Sequence, residues 1–86
     1  MNDNVKVGAI YKHFKGTLYE VMAIGTDTET EEQVVIYRPY NSSSQDKIWV
    51  RPYNNFISKV DKVKYPEVEQ EYRFEYVKMF YEIDRR

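Results

Sequence analysis

Gly8-Ala9-Ile10-Tyr11-Lys12-His13-Phe14-Lys15-Gly16-Thr17-Leu18-Tyr19-Glu20-Val21 is the stretch whose reading decides the fold. Strand side chains alternate with period two, so Ile10, Lys12 and Phe14 point one way and Tyr11, His13 and Lys15 the other. Lys15-Gly16 marks a turn, because Gly16 can take a positive φ without a Cβ clash. The pattern resumes from Leu18 to Gly25, with Leu18, Met22 and Ile24 on one face and Tyr19, Val21 and Ala23 on the other. Both faces are largely apolar, which predicts a central strand covered on two sides.

Outward from this hairpin, Val5-Lys6-Val7 is a short lead-in and Asp27 to Glu32 a polar, acidic hairpin loop. Gln33 to Tyr40 reads as the next strand, β-branched at Val34, Val35 and Ile36, with pairing weakened at Pro39 because proline has no N–H for the ladder. Asn41 to Asp46 is a polar loop, and Lys47 to Arg51 a short strand with Trp49 and Arg51 on one side and Ile48 and Val50 on the other. Pro52 to Phe56 reads as a turn or a single helical turn, with Phe56 as an apolar plug. Ile57 to Lys64 reads as a further strand carried by Val60. Tyr72, Phe74 and Tyr76 alternate as in a strand, while Tyr72, Tyr76, Met79 or Phe80, and Ile83 also fit a helical stripe. The reading adopted is a strand across Tyr72 to Val77 followed by a short helical or frayed tail to Arg86. Short strands separated by polar turns predict a small all-β sandwich or barrel of five or six strands. Residues 1–86 are taken as one domain, with a barrel core at 5–64 and a C-terminal strand and tail at 65–86.

Composition narrows the function classes. With 86 residues, a single core only just outweighs the entropy of ordering the chain. Nine Tyr and four Phe make large rings the means of building that core. No cysteine is present, which excludes a disulfide framework, thiolate metal ligands and a Cys nucleophile. The N-terminus lacks an apolar leader and no apolar run is long enough to span a bilayer, so a cytoplasmic protein without membrane attachment is expected. The net charge of −1 argues against a dedicated duplex-DNA binder, whose affinity comes from a basic excess.

The order Gly8, Tyr11, His13-Phe14-Lys15-Gly16, Tyr19 and Val21, then Thr28-Glu29-Thr30, Val34-Val35, Tyr37-Arg38 and Trp49-Val50-Arg51-Pro52 with Phe56 resembles a small, mostly bacterial family. That family is catalogued as domain of unknown function 1653, and the resemblance runs from about Gly8 to Val60. It implies a small all-β domain like the SH3-type barrels, with no established activity. In the family pattern a second His stands just before the Thr-Glu-Thr segment; this chain has Asp27 there. If that His takes part in a site shared with His13, the site is altered or missing here.

Chemistry has few candidates. His13 is the only imidazole and no second ligand sits at a recognised spacing, so no metal or other cofactor is expected. For acid–base work the pairs to consider are His13 with Glu20 and Tyr37 with Arg51, and neither follows from spacing. Glu20 reads more simply as the partner of a cross-strand Lys or Arg. The strongest pattern is aromatic and basic: Tyr11, His13, Tyr37, Trp49 and Arg51 as one face, with Arg38 at its loop edge because it must point away from Tyr37. Arg38-Pro39 and Arg51-Pro52 each place a guanidinium where a strand leaves its ladder.

These residues admit two readings: core with a snorkelling Arg51, or a groove for an extended ligand. On the groove reading a protein or peptide segment is the first partner, by contact with the rings or by addition to an exposed edge strand. Single-stranded RNA is the second, stacking on Tyr37, Tyr40 and Trp49 with phosphates on Lys12, Lys15, Arg38 and Arg51. A small hydrolytic or metabolite-binding protein is the third. The first-choice reading is a non-enzymatic binding module, monomeric or a small homo-oligomer.

Overall fold

The computed structural model describes residues 4–40 and 47–80. Among them the chain is mostly β, with one antiparallel five-stranded sheet and a single short helix. β1 (Ala9–His13), β2 (Leu18–Thr26), β3 (Gln33–Pro39) and β4 (Trp49–Pro52) follow one another, then α1 (Tyr53–Phe56), and β5 (Phe74–Met79) comes last. The order across the sheet is β4-β3-β2-β1-β5. β2 is thus the middle strand, as its two apolar faces predict. No helix among the described residues is long and apolar enough to cross a membrane.

The turns follow from local chemistry. Gly16 adopts φ +108°, and its N–H donates to the His13 carbonyl at 2.7 Å while the His13 N–H donates to Thr17 at 2.9 Å, closing the β1–β2 hairpin. At the β2–β3 end Asp27 Oδ1 accepts the N–H groups of Glu29 and Thr30 at 2.7 and 3.2 Å. The Asp27 carbonyl takes the N–H of Glu31, the one non-glycine residue described with positive φ. Asp27 is therefore a turn-forming residue of the kind that imitates a backbone turn with its side chain.

Two bulges correct the simple alternation. Tyr37 lies opposite Val21 and Ile36 opposite Ala23, so Met22 is an extra residue in β2. Beyond it the faces exchange, and Ile24, opposite Val35, joins Tyr19 and Val21 on the core side instead of facing away from them. In β5 the partners step from Tyr76 to Lys78, leaving Val77 unpaired against β1.

A second correction concerns Ile57 to Lys64, which forms no strand; it makes only an isolated bridge, Lys59 to Tyr72. Asp61 interrupts it. Its carboxylate accepts the N–H groups of Val63 and Lys64 and its carbonyl that of Tyr65, so the backbone turns where a strand would have to continue. Only Val60 is buried there. The C-terminal strand exists, displaced to Phe74–Met79 from the expected Tyr72 to Val77. The loop Asn41 to Asp46 and the tail beyond residue 80 lie outside the described residues.

The sheet curls over an aromatic core. Ala9, Tyr11, Val21, Val35, Tyr37, Phe56 and Phe74 form one buried cluster. β3 and β5 are three strand spacings apart, about 14 Å in a flat sheet. Yet the rings of Tyr37 and Phe74 lie 5.6 Å apart. Arg51 on one edge strand lies 5.2 Å from the Phe74 ring of the other. Phe56 of α1 plugs the concavity, stacking on Phe74 at 4.0 Å and meeting Tyr11 and Tyr37 edge-on. Ile10, on the opposite face, is buried apart from this cluster.

Candidate functional site

The sheet register puts Tyr11, His13, Tyr37, Trp49 and Arg51 on one face. Tyr37 is directly opposite Trp49, Val35 opposite Arg51, Tyr11 opposite Tyr19, and His13 opposite Phe74. Burial then divides them. Tyr37 is 3% exposed and Tyr11 6%, so both belong to the core, whereas Trp49 is 46% exposed. The core reading holds for the first two and an accessible surface begins at the third.

Arg51 connects the parts. Its Nε donates to the Tyr37 hydroxyl at 2.9 Å and its Nη1 to Asn55 Oδ1 at 2.6 Å, while the guanidinium lies over the Tyr37 and Phe74 rings. The sequence pair Tyr37 with Arg51 is therefore real in space, as a hydrogen bond that anchors the guanidinium. Tyr11 acts similarly on the N-terminal segment: its hydroxyl accepts the Lys6 N–H at 2.9 Å, as the Tyr53 hydroxyl accepts that of Val5. Burial raises the Tyr11 phenol above its ordinary pKa, with the Lys6 N–H pulling the other way.

His13 is half-buried among rings. It stacks on Phe14 at 4.5 Å and meets Phe74 edge-on at 4.9 Å. Nδ1 accepts the Lys15 N–H at 3.1 Å, which leaves the imidazole proton on Nε2. Desolvation first, then the positive charges of Arg51, Arg73 and Lys15, lower its pKa from 6.5 to about 4. At neutral pH it is an uncharged ring.

The other candidates are kept apart. Glu20 lies on the convex face, opposite Arg38, and the two form an ion pair at 3.2 Å. Arg38 is thus placed away from the concave residues, and Glu20 is not a partner for His13. Asp27 is at the far end of β2, roughly 30 Å from the His13 turn by strand rise. Among the described residues no group of three or more His, Cys, Asp or Glu could hold a metal ion.

Two accessible features remain. At the β4 edge of the sheet, Ile48, just before the strand, and Trp49 and Val50 within it run consecutively with 57%, 46% and 63% exposure. Trp49 projects with Tyr37 and Val50 with Ile36, so the strip presents apolar surface on both sides of the edge. A cavity of about 410 Å³ lies between the N-terminal segment and β5, lined by Lys6, Tyr11, Glu71, Tyr72, Phe74 and Tyr76 among others.

Two contributors escaped the sequence reading. Phe74 touches His13, Tyr19, Tyr37 and Phe56, making it the hub of the ring network. Arg73 beside it donates from Nε to Ser58 Oγ at 3.1 Å and lies 6.0 Å from the Phe14 ring. The run Tyr72-Arg73-Phe74 carries the same aromatic–basic alternation as Tyr37-Arg38 and was the available signal.

The family profile described as "Protein of unknown function (DUF1653)" matches residues 9–76. The match continues beyond Val60, where the motifs that carry the resemblance end, and takes in the first half of β5. A crystal structure of a protein belonging to the same family, from Bordetella bronchiseptica, is similar at 25% identity and a TM-score of 0.71. The similarity covers 88% of this chain and 91% of that one. Comparison with curated proteins gave no match.

Proposed function

The chain belongs to the DUF1653 family, whose description assigns no activity, and from that premise we propose that it is a binding module for an extended protein segment. The single observation that carries this reading is the strip Ile48-Trp49-Val50 on the β4 edge. An edge strand offers a row of unpaired N–H and C=O groups, and a partner strand added there gains main-chain hydrogen bonds. Large apolar side chains on both faces of that edge then give the added strand side-chain contacts as well. Exposed hydrophobic residues on an edge are otherwise an aggregation hazard that folded proteins avoid.

Trp49 is the anchor of this reading. It presents a flat, rigid ring at low entropic cost, and its neighbour Tyr37 is fixed in the core behind it. Pro52 lies at the end of β4 and cannot extend the ladder, so the incoming strand is short. Binding is favoured over acid–base catalysis because His13 and Glu20 occupy opposite faces and His13 Nδ1 is already engaged by Lys15.

The test is a random-peptide selection on the wild-type protein, followed by measurement of each selected peptide on Trp49→Ala and Val50→Lys. Affinity should fall at least about tenfold for both variants, as loss of an aromatic anchor does, while amide signals of β4 shift on binding to the wild type. Peptides that bind both variants as tightly as the wild type would overturn the reading. Selected binding that vanishes with added salt would instead indicate a charge-driven ligand such as RNA.

A further inference from the structure

Three cations from three separate parts of the chain surround His13, and the side chains that accept hydrogen bonds from the two arginines are uncharged. Arg51 comes from β4, Lys15 from the β1–β2 turn and Arg73 from the residue before β5. The geometry is held by two rings. His13 and the Arg51 guanidinium lie 4.9 and 5.2 Å from the centroid of Phe74. His13, the Lys15 ammonium and the Arg73 guanidinium lie 4.5, 5.9 and 6.0 Å from that of Phe14.

The hydrogen bonds fix the two guanidinium groups without compensating their charge, and the ammonium of Lys15 lies near the Phe14 and Tyr65 rings. Arg51 donates to a phenol and a carboxamide oxygen, and Arg73 to a serine hydroxyl. The ion pairs among the described residues are elsewhere, Arg38 with Glu20 on the convex face and Lys59 with Glu71. The acidic loop Asp27 to Glu32 is at the opposite end of β2. Of the acids at this end, Glu71 is paired with Lys59, and Glu75 stands opposite Lys12 in the β1–β5 register. The depressed pKa of His13, which responds to all three cations, reports their field.

We propose that this rim is a binding site for a phosphate monoester, with Arg51, Arg73 and Lys15 providing charge and His13 Nε2–H an uncharged donor. A monoester carries a charge between −1.5 and −2 near neutral pH, a closer match to three cations than one carboxylate. Guanidinium groups match phosphate oxygens with paired N–H donors. Rings beneath the cations pre-position them, so little side-chain order remains to be imposed on binding. The site shares β4 with the apolar strip through Arg51 but uses none of the strip's residues, and it stands whether or not a peptide adds there.

A single histidine makes the test direct, because its ring resonance has one assignment. The His13 Cε1–H signal is followed by NMR during titration with inorganic phosphate and with glycerol phosphate, against acetate at the same ionic strength. The expected result is a saturable shift with both phosphates and a far weaker one with acetate. The titration midpoint of His13 should rise in the bound form, since a nearby anion favours the imidazolium. Arg73→Gln and Lys15→Gln should each weaken phosphate binding about tenfold, the order of one charge-assisted contact. Lys15 is an exposed turn residue, so its variant retains the fold. Arg38→Gln, on the other face, should bind as the wild type does. A non-saturating response, an equal response to acetate, or undiminished binding by the folded Lys15→Gln protein would overturn the proposal.

Discussion

Tyr37 and Trp49 face each other across β3 and β4, on the same side of the sheet, and have opposite fates. Tyr37 is enclosed by Tyr19, Phe56 and Phe74, while Trp49 stands nearly half in solvent. Both are large aromatic residues, and strand periodicity treats them alike. What separates them is cover. The curl of the sheet brings β5 and α1 over β3, and β4 lies at the margin of that cover. Burial in a small curled sheet is thus set by what crosses the concavity as much as by which face a residue takes.

The most severe way to break this contrast is truncation at both positions. Tyr37→Ala should destabilise the fold by about 3–5 kcal/mol, as removal of a core ring does, and Trp49→Ala by about 1 kcal/mol or less, since its ring is only partly withdrawn from water. Urea unfolding of the two variants measures the difference, and equal losses would mean that the edge is covered after all. Tyr37→Phe is a finer probe. It keeps the ring and removes the acceptor of Arg51 Nε, so stability should fall by about 1 kcal/mol in the same assay.

His13 sharpens the contrast from the margin of the core. Its folded pKa of about 4 is below the ordinary 6.5, so between those values the unfolded chain binds the extra proton. Stability should therefore be flat above pH 6.5 and decline as pH falls toward 4. The denaturation midpoint of the wild type should drop over that window relative to His13→Gln; parallel curves would show that the ring is not held neutral by folding. The smallest effect belongs to the convex face. A double-mutant cycle on Glu20 and Arg38 should give a coupling of about 0.2–1 kcal/mol, because Arg38 is well exposed and its charge is screened.

Much of this architecture was legible in the sequence. The Gly16 turn, the central position of β2, the plug at Phe56 and a cross-strand basic partner for Glu20, though not that the partner is Arg38, follow from period, turn chemistry and charge. So does the opposition of Tyr37 and Arg38. The bulges at Met22 and Val77 did not, because an extra residue in an apolar run leaves no mark in its composition. Ile57 to Lys64 has enough β-branched residues to read as a strand, yet Asp61 turns the backbone locally. The site was half legible. Its face could be read from alternation, but the division into core and surface depends on the pairing of β5 with β1, a contact between distant parts of the chain. Arg73 belongs to the same difficulty, since it reaches His13 only once that pairing is made.

That pairing also bears on how fast the chain can fold. Ala9 meets Met79, so the sheet closes between the first strand and the last. Until Phe74–Met79 has emerged from the ribosome, β1 has one neighbour instead of two, and the stacked pair Phe56–Phe74 is missing its second ring. Loop-closure entropy must be met before such distant contacts return anything, which slows folding relative to a domain of local contacts. Without β5 the concavity lacks one wall, so closing it depends on the strand pairing that is most distant in the sequence.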